Sequence, residues 1–403
     1  MKVSMHSANN DVTNRPGQPE VMPLKAQAAS SFYLHWPFCP YRCHFCPFVA
    51  LAGHEEYMTD YHEALITEVE QYLNEHDVKK LKTIFFGGGT PSTYPPDLLM
   101  LLIEILKERC GFEDGYEMTI EVNPGTVDAQ KLSAWHKAGI NRLSIGVQSL
   151  NDEVLKKLNR HQRATDVVWL INAASSIFDN LSIDVIVGLP GISSQEWKQM
   201  IHTIVTWPIS HVSMYFLTVH QDTQLYFGIQ KKQVTLPTDD EVVDLYYWTI
   251  EQFARAGFVQ YEISNFSRKE QRSLHNSAYW KRVPYKGFGL GACSFDGEIR
   301  TQNIKNLLNY LKEIRNTGKG ILFSEQLTEE QAWLERLMLG LRQRSGIVVA
   351  EILEPLSPQK KEEFSRKAQE LLNARLVSSS DGKMMLTPLG LSVANEVIVR
   401  LCV

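Results

Sequence analysis

Cys39-Pro40-Tyr41-Arg42-Cys43-His44-Phe45-Cys46 places three thiols within eight residues, at the end of the apolar run Phe32-Tyr33-Leu34-His35-Trp36-Pro37-Phe38. Pro37 and Pro40 rule out a continuous helix or a central strand here, because each lacks a backbone N–H. The stretch is therefore a loop, and its thiols are free to converge. Iron–sulfur clusters are held by Cys thiolates, normally four. Three would leave one iron open to a small molecule. Zinc is the competing reading: it wants four ligands, and His35, His44 or His54 would supply the fourth. A closed zinc site usually brings a second ligand pair from a distance, yet no second CxxC and no HxxxH occurs. A disulfide framework is disfavoured with 6 Cys in 403 residues and no secretory signal. The cluster ranks first and zinc second.

Outward from this loop the chain alternates strand and helix. Strands are expected over residues 32–35, 83–86, 118–122, 142–147, 181–187 and 211–217, with helices over 57–75, 97–109, 128–137, 152–158 and 194–206. In the first helix Tyr61, Leu65, Val69 and Tyr72 share one face. Strand–helix units in series imply a parallel sheet with right-handed crossovers.

Uncommon residues recur at the C-terminal ends of these strands: the three Cys, then Gly87-Gly88-Gly89-Thr90-Pro91, Glu121, Gln148 and Asp184. In β/α barrels that rim is where active sites are assembled. A dinucleotide-binding sheet would instead concentrate its signal at one Gly-rich turn. The expected fold is thus α/β, a partial (β/α) barrel with the Cys loop at its top. The Gly triplet lacks the Lys and the spacing of a phosphate loop. It lets backbone approach a ligand closely. Glu121 and Asp184 are carboxylates on otherwise apolar strands, and a buried charge without a partner is costly, so each should face a polar ligand or a cation. Arg160 follows a helix and, taken alone, reads as a solvated helix end.

Composition bounds the function. A length of 403 residues predicts two domains, and 44% hydrophobic with 22% charged residues reads as an ordinary globular protein. A net charge of −5 argues against broad nucleic-acid affinity. No apolar run approaches the roughly 18 residues that span a bilayer. That leaves peripheral membrane contact open, and oxygen-sensitive thiolates place the chain in a reducing cytoplasm. Residues 1–30, rich in Ser, Asn, Gln, Pro and Ala, are expected as a disordered tail.

Cys-x3-Cys-x2-Cys after a short strand, with an aromatic residue before the last Cys, resembles the radical S-adenosylmethionine (SAM) superfamily. The resemblance implies that Cys39, Cys43 and Cys46 bind a [4Fe–4S] cluster whose open iron takes the amino and carboxylate groups of SAM. Gly88, Gly89 and Thr90 match the GGxTP segment that meets SAM's amino group. The segments Tyr33-Leu34-His35-x-Pro37-Phe38-Cys39, Glu121-Val-Asn-Pro, Gly146-Val-Gln-Ser and Asn159-Arg160-x-Gln162 are most similar to the coproporphyrinogen-oxidase-like branch. There the residues equivalent to Tyr33, Glu121, Gln148, Arg160 and Asp184 contact SAM, and the equivalent of Phe45 lies near the adenine.

In the second half, Tyr261-Glu-Ile-Ser-Asn265 followed by His275-Asn-Ser-Ala-Tyr-Trp280 resembles the heme chaperones of that branch, HemW. The resemblance implies heme binding at His275 and an acceptor hemoprotein as partner. The run Gly287-x-Gly289-x-Gly291 lacks the dinucleotide spacing, so a nicotinamide site is rejected. It ends in Cys293 where the family usually has His. Two enzyme readings stand beside the chaperone: oxygen-independent decarboxylation of coproporphyrinogen III, and radical opening of the heme ring. The decarboxylating branch carries a further Cys two positions after the third, where this chain has Phe48. That favours the chaperone and leaves open whether the chain is an enzyme at all.

Residues 315–320 are read as a linker that ends a 31–320 barrel unit. The remainder, 321–403, is read as a winged-helix-like α+β domain. Thr328-Glu-Glu-Gln331 there resembles a capping box, and Asp381-Gly382 a hairpin turn. The module is poorly basic and resembles the family's C-terminal domain, so it is expected as a lid or scaffold. Homodimer formation is left open.

Overall fold

A computed structural model describes residues 28–268 and 271–403. The expected tail over 1–30 lies almost wholly outside them. Six parallel strands form the frame: β1 Ser31–Trp36, β2 Leu81–Gly88, β3 Phe112–Val122, β4 Arg142–Gln148, β5 Asn180–Val187 and β6 His211–Phe216. They are hydrogen-bonded side by side in chain order. Asn265–Ser267 (β7) extends the arc antiparallel to β6, and Lys286–Phe288 (β8) extends it parallel to β1.

The two faces of this arc differ because side chains alternate along a strand. Phe32, Leu34, Ile84, Phe86, Ile120, Leu143, Ile145, Ile183 and Val212 are buried in one hydrophobic core beneath the helices. The residues between them carry the polar and aromatic set of the inner face. Glu121 pairs in register with Ser144, Ser144 with Ser182, Gly146 with Asp184, and Asp184 with Ser213.

Helices α1 Met58–Glu75, α2 Pro96–Arg109, α3 Ala129–Ala138, α4 Asp152–Lys157, α5 Ala164–Ser175 and α6 Ser194–Ile204 cover the outer face. Their starts follow local chemistry. Asp128 accepts from the Lys131 N–H at 2.8 Å to open α3, and Ser193 with Glu196 forms a capping box on α6. Helix α5 is absent from the expectations, although its buried Val167, Leu170, Ile171 and Ala174 stand at helical spacing.

The expected linker is structured. Arg315 lies in the helix Leu307–Thr317, Gly318 caps that helix with φ +71°, and the chain then enters the strand Ile321–Gln326. That strand pairs with Ile299–Asn303, so residues 321–326 stay with the barrel side of the expected 320/321 boundary. A separate core begins at Trp333 and runs through Leu337, Phe364, Leu371, Val397 and Leu401. The Thr328 capping box and the hairpin Val377–Ser380/Lys383–Leu386 both form, with Asp381 at φ 53° and Gly382 at φ 72° as a primed turn requires. The single last helix expected over 389–401 is broken at Val393. This unit is tied to the barrel by Ile263 N–H to Arg342 O at 2.9 Å, and by Glu335 to Arg282 and Arg300 at 2.9 and 2.8 Å.

Candidate functional site

The Cys loop is pinned at both ends. Phe38–Cys39 pairs with Leu51–Ala52 as a two-residue parallel ladder. The His44 N–H reaches Leu158 O at 2.9 Å, while His44 O accepts from Leu225 N–H at 2.9 Å. Cys39, Cys43 and Cys46 are free thiols and line a cavity of about 450 Å³ at the top of the barrel. Phe45, Gly88, Gly89, Thr90, Glu121, Gln148, Arg160 and Asp184 line the same cavity. Of thirteen site residues expected from the sequence, Tyr33 and His275 are the two it does not include.

The donor set fits an iron–sulfur cluster. Thr90 Oγ1 donates to Cys39 Sγ at 3.2 Å, and Arg160 Nη1 approaches Cys43 Sγ at 3.7 Å, so donors are already aimed at sulfur. Burial pushes the Cys39 thiol up to about 11, partly offset by the Thr90 hydrogen bond, and it raises Cys46 as well. A bound cation favours the thiolate form of such thiols, and metal binding then releases their protons. Among the described residues no three Cys, His or carboxylate side chains converge on a single-ion site. A cluster asks for less convergence, one thiolate per iron.

Gly89 belongs to this cradle: a Cβ there would run into Pro37 O and stand 3.0 Å from Cys39 Sγ. Gly88 has φ +120°, and its Cβ would meet the His35 ring at 2.7 Å. Neither position has room for a side chain.

Beyond the thiols, the wall is acidic. Glu121 accepts from the Gly88 N–H at 3.1 Å, and its carboxyl is raised to about 8 by burial and then by Asp184. Asp184 is also raised, by burial against the opposing Ser213 hydrogen bond, and accepts from Ser144 Oγ at 3.1 Å. Two neighbouring carboxyls, both raised by burial, are primed for a cationic ligand, which would favour both charged forms. SAM carries an ammonium and a sulfonium. Gln148 sits at the strand end with φ 61°, a left-handed backbone that a non-Gly residue adopts at a cost of roughly 1–2 kcal/mol. Arg160 is far from a solvated helix end: it is buried, with Nε on Gln162 Oε1 at 2.8 Å and Nη2 on Asn123 Oδ1 at 3.0 Å.

Three participants were not singled out from the sequence. Asn123 bridges Arg160 to Thr90, donating to Thr90 Oγ1 at 3.1 Å. Its signal was Asn-Pro at a strand end, which Glu121 overshadowed. Gln162 orients Arg160 and donates to Val147 O at 2.6 Å. Tyr215 lines the cavity and is 41% exposed. As a polar ring near the end of an apolar strand, it repeats the pattern that marked Glu121.

Tyr33 and His275 lie elsewhere. The Tyr33 hydroxyl meets His35 Nδ1 at 3.0 Å, and its ring stacks on Phe85. His275 is 1% exposed, with Nδ1 at 2.8 Å from Thr83 Oγ1 and Nε2 at 2.8 Å from the Tyr279 hydroxyl. Its backbone N–H, like those of Leu274 and the Ser273 hydroxyl, ends on the Glu117 carboxylate at 2.8–3.2 Å. Burial lowers the imidazole to about 3. Both ring nitrogens of His275, the heme-binding residue that the resemblance implies, are engaged in these hydrogen bonds. The bonds to Thr83 and Glu117 fix the short helix Leu274–Trp280 against β2 and β3. Cys293 is exposed and accepts from Gln302 Nε2 at 3.4 Å, outside the cavity. The Gly run before it shapes a turn around buried Glu68, which accepts from Gly289 N–H, Asn303 and Tyr310 at 2.7–2.8 Å.

Comparison with known proteins agrees with this geometry. The family model for the radical SAM superfamily matches residues 33–204, and that for the HemN C-terminal domain matches 327–393. Membership in that superfamily implies the cluster and SAM. Among solved structures, coproporphyrinogen III oxidase (HemN) from Escherichia coli superposes with a TM-score of 0.82, covering 94% of this chain and 91% of that one. At 21% identity that likeness shows the fold alone. The heme chaperone HemW of Synechocystis is 33% identical over 79% of each chain. "Radical S-adenosyl methionine domain-containing protein 1, mitochondrial" of Danio rerio is 31% identical over 92% of this chain and 86% of its own. The heme chaperone HemW of Bacillus subtilis is 32% identical over 91% of this chain and 97% of its own, and the chain therefore belongs to the HemW family of radical SAM proteins.

Proposed function

We propose that this protein binds heme and passes it to an acceptor hemoprotein, and that it does so with a complete radical SAM site. The observation that carries this reading is Phe48. It is 64% exposed at the lip of the cavity, where the decarboxylating branch has a further Cys, in a chain otherwise related to HemW along nearly its full length.

Cys39, Cys43 and Cys46 would hold the cluster, with the Thr90 hydroxyl and the Arg160 guanidinium stabilising two of the thiolates. Glu121 and the Gly88–Gly89 backbone would bind the SAM amino group, and Asp184, Gln148 and Arg160 would orient the remainder. When bound, cluster and SAM supply one-electron chemistry. Asn123 and Gln162 keep Arg160 turned toward the loop. The C-terminal unit contributes no residue to the cavity wall, which supports a scaffold role over that of a lid. Among the described residues no helix is long and apolar enough to cross a membrane. A thiolate-dependent site suits a reducing compartment, which supports a cytoplasmic reading.

The reading is tested by anaerobic titration of the cluster-reconstituted chain with hemin, followed by addition of a heme-depleted hemoprotein. Stoichiometric uptake, and recovery of the acceptor's absorption faster from the loaded protein than from free hemin, is expected. Absence of uptake refutes it.

A further inference from the structure

A second cavity, of about 330 Å³, lies at the opposite end of the barrel strands and shares no residue with the first. Lys286 of β8 lines it and pairs with Phe32 near the start of β1, whereas the Cys loop follows the end of that strand. One wall is the C-terminal half of α1. The other is a face of the sheet formed by Cys293–Phe295, Ile299–Asn303 and Ile321–Gln326. Alternation along the strands decides what that face presents. Ser294 pairs in register with Thr301, and Thr301 with Ser324, so each strand adds one hydroxyl to a single row along the cavity.

Lys286 is the group that calls for a ligand. Its side chain is 12% exposed, and burying an ammonium without hydrogen-bond acceptors is costly. Among the described residues its Nζ makes no hydrogen bond. Its ion-pair partner Glu68 stands 4.0 Å away, and the faces of Tyr72 and Phe288 lie at 5.6 and 5.2 Å. Glu68 is already occupied by Gly289 N–H, Asn303 and Tyr310. Burial accordingly lowers the ammonium from its usual range, against Glu68, which raises it. The Thr301 and Ser324 hydroxyls likewise make no hydrogen bond among the described residues, whereas Ser294 Oγ is taken by the Gly287 backbone. An ammonium and two hydroxyls on one cavity form a donor set for a carboxylate.

The rest of the lining narrows the class. Tyr72, Tyr285 and Phe295 offer flat apolar surface to an aromatic body. Glu75 and Asp296 also line the cavity and are satisfied within the protein, Glu75 by Lys319 at 2.8 Å and Asp296 by the Glu298 and Ile299 N–H groups at 2.9 and 2.7 Å. Three carboxylates against two ammonium groups leave no surplus of positive charge, so a multiply charged anion is repelled. We propose that this cavity binds a small aromatic monocarboxylate, its carboxylate on Lys286, Thr301 and Ser324 and its ring against Tyr72 and Tyr285. The site is separate from the radical SAM cavity and stands or falls apart from the heme reading.

The test follows the fluorescence polarisation of 2-naphthoate on the full-length, cluster-reconstituted chain, with and without SAM. Expected is saturable binding of equal affinity in both conditions. Lys286→Met should weaken it about tenfold, because the bond lost is charge-assisted. Thr301→Val keeps the β-branched shape of the strand and should weaken binding about threefold; it carries the test if Lys286→Met does not fold. Naphthalene-2,6-dicarboxylate, with a second charge, should bind about tenfold more weakly than 2-naphthoate to wild type. Absence of saturable binding, wild-type affinity in both variants, or displacement of the probe by SAM overturns the site. Tighter binding of the dicarboxylate overturns the monocarboxylate class.

Discussion

At the scale of single residues, the site depends on atoms that leave no room. Gly89→Ala would drive a methyl into Pro37 O and against Cys39 Sγ. It should abolish cluster assembly, read as iron and acid-labile sulfide per chain, while far-UV circular dichroism stays native; full iron loading of the variant would contradict the account. Glu121 offers a pH test. Its folded carboxyl is raised above the unfolded value, so between roughly pH 4.5 and 8 the ligand-free folded state holds a proton that the unfolded state has lost. Its contribution to stability therefore falls as pH rises through that window, and Glu121→Gln should flatten that slope in urea titrations. The same variant should bind SAM about tenfold or more weakly at pH 8, since a hydrogen bond to a charged group contributes about 1.5–3 kcal/mol. A variant with the wild-type slope and affinity would remove Glu121 from the cradle. The Cys, Gly and Glu positions were legible in the sequence because their chemistry is rare at strand ends. Asn123 and Gln162 were not, since an amide that positions an Arg looks like any other polar residue until the fold brings it within 3 Å of its partner. His275 makes a related point: a motif names a residue and leaves unsaid which neighbours, here Thr83 and Tyr279, fill its hydrogen bonds.

At the scale of elements, all six core strands could be read from the sequence, because strands buried under helices need unbroken apolar faces. Helix α5 was passed over between two rim segments. The supposed linker failed on burial: Tyr310, Leu311 and Ile314 anchor the helix that contains Arg315. The capping box at Thr328 starts the first helix of the C-terminal unit. Thr328→Ala should cost that unit about 1 kcal/mol, and Trp333→Ala about 3–5 kcal/mol through the cavity it leaves. Urea unfolding followed by a probe in residues 333–401 measures both. Equal, near-zero effects would mean that the second core does not support this unit.

At the scale of the molecule, one barrel carries two demands at one end: an acidic, thiol-lined depth for cluster and SAM, and an aromatic lip exposed to solvent. The fold is shared with coproporphyrinogen III oxidase. The proposed function sets this chain apart from that enzyme at Phe48. The most direct measurement gives the reconstituted chain SAM, a reductant and coproporphyrinogen III without oxygen, and follows decarboxylated product beside heme retention in the same preparation. The account predicts retained heme and no product. Turnover to protoporphyrinogen would contradict it and make the chain a decarboxylase despite Phe48.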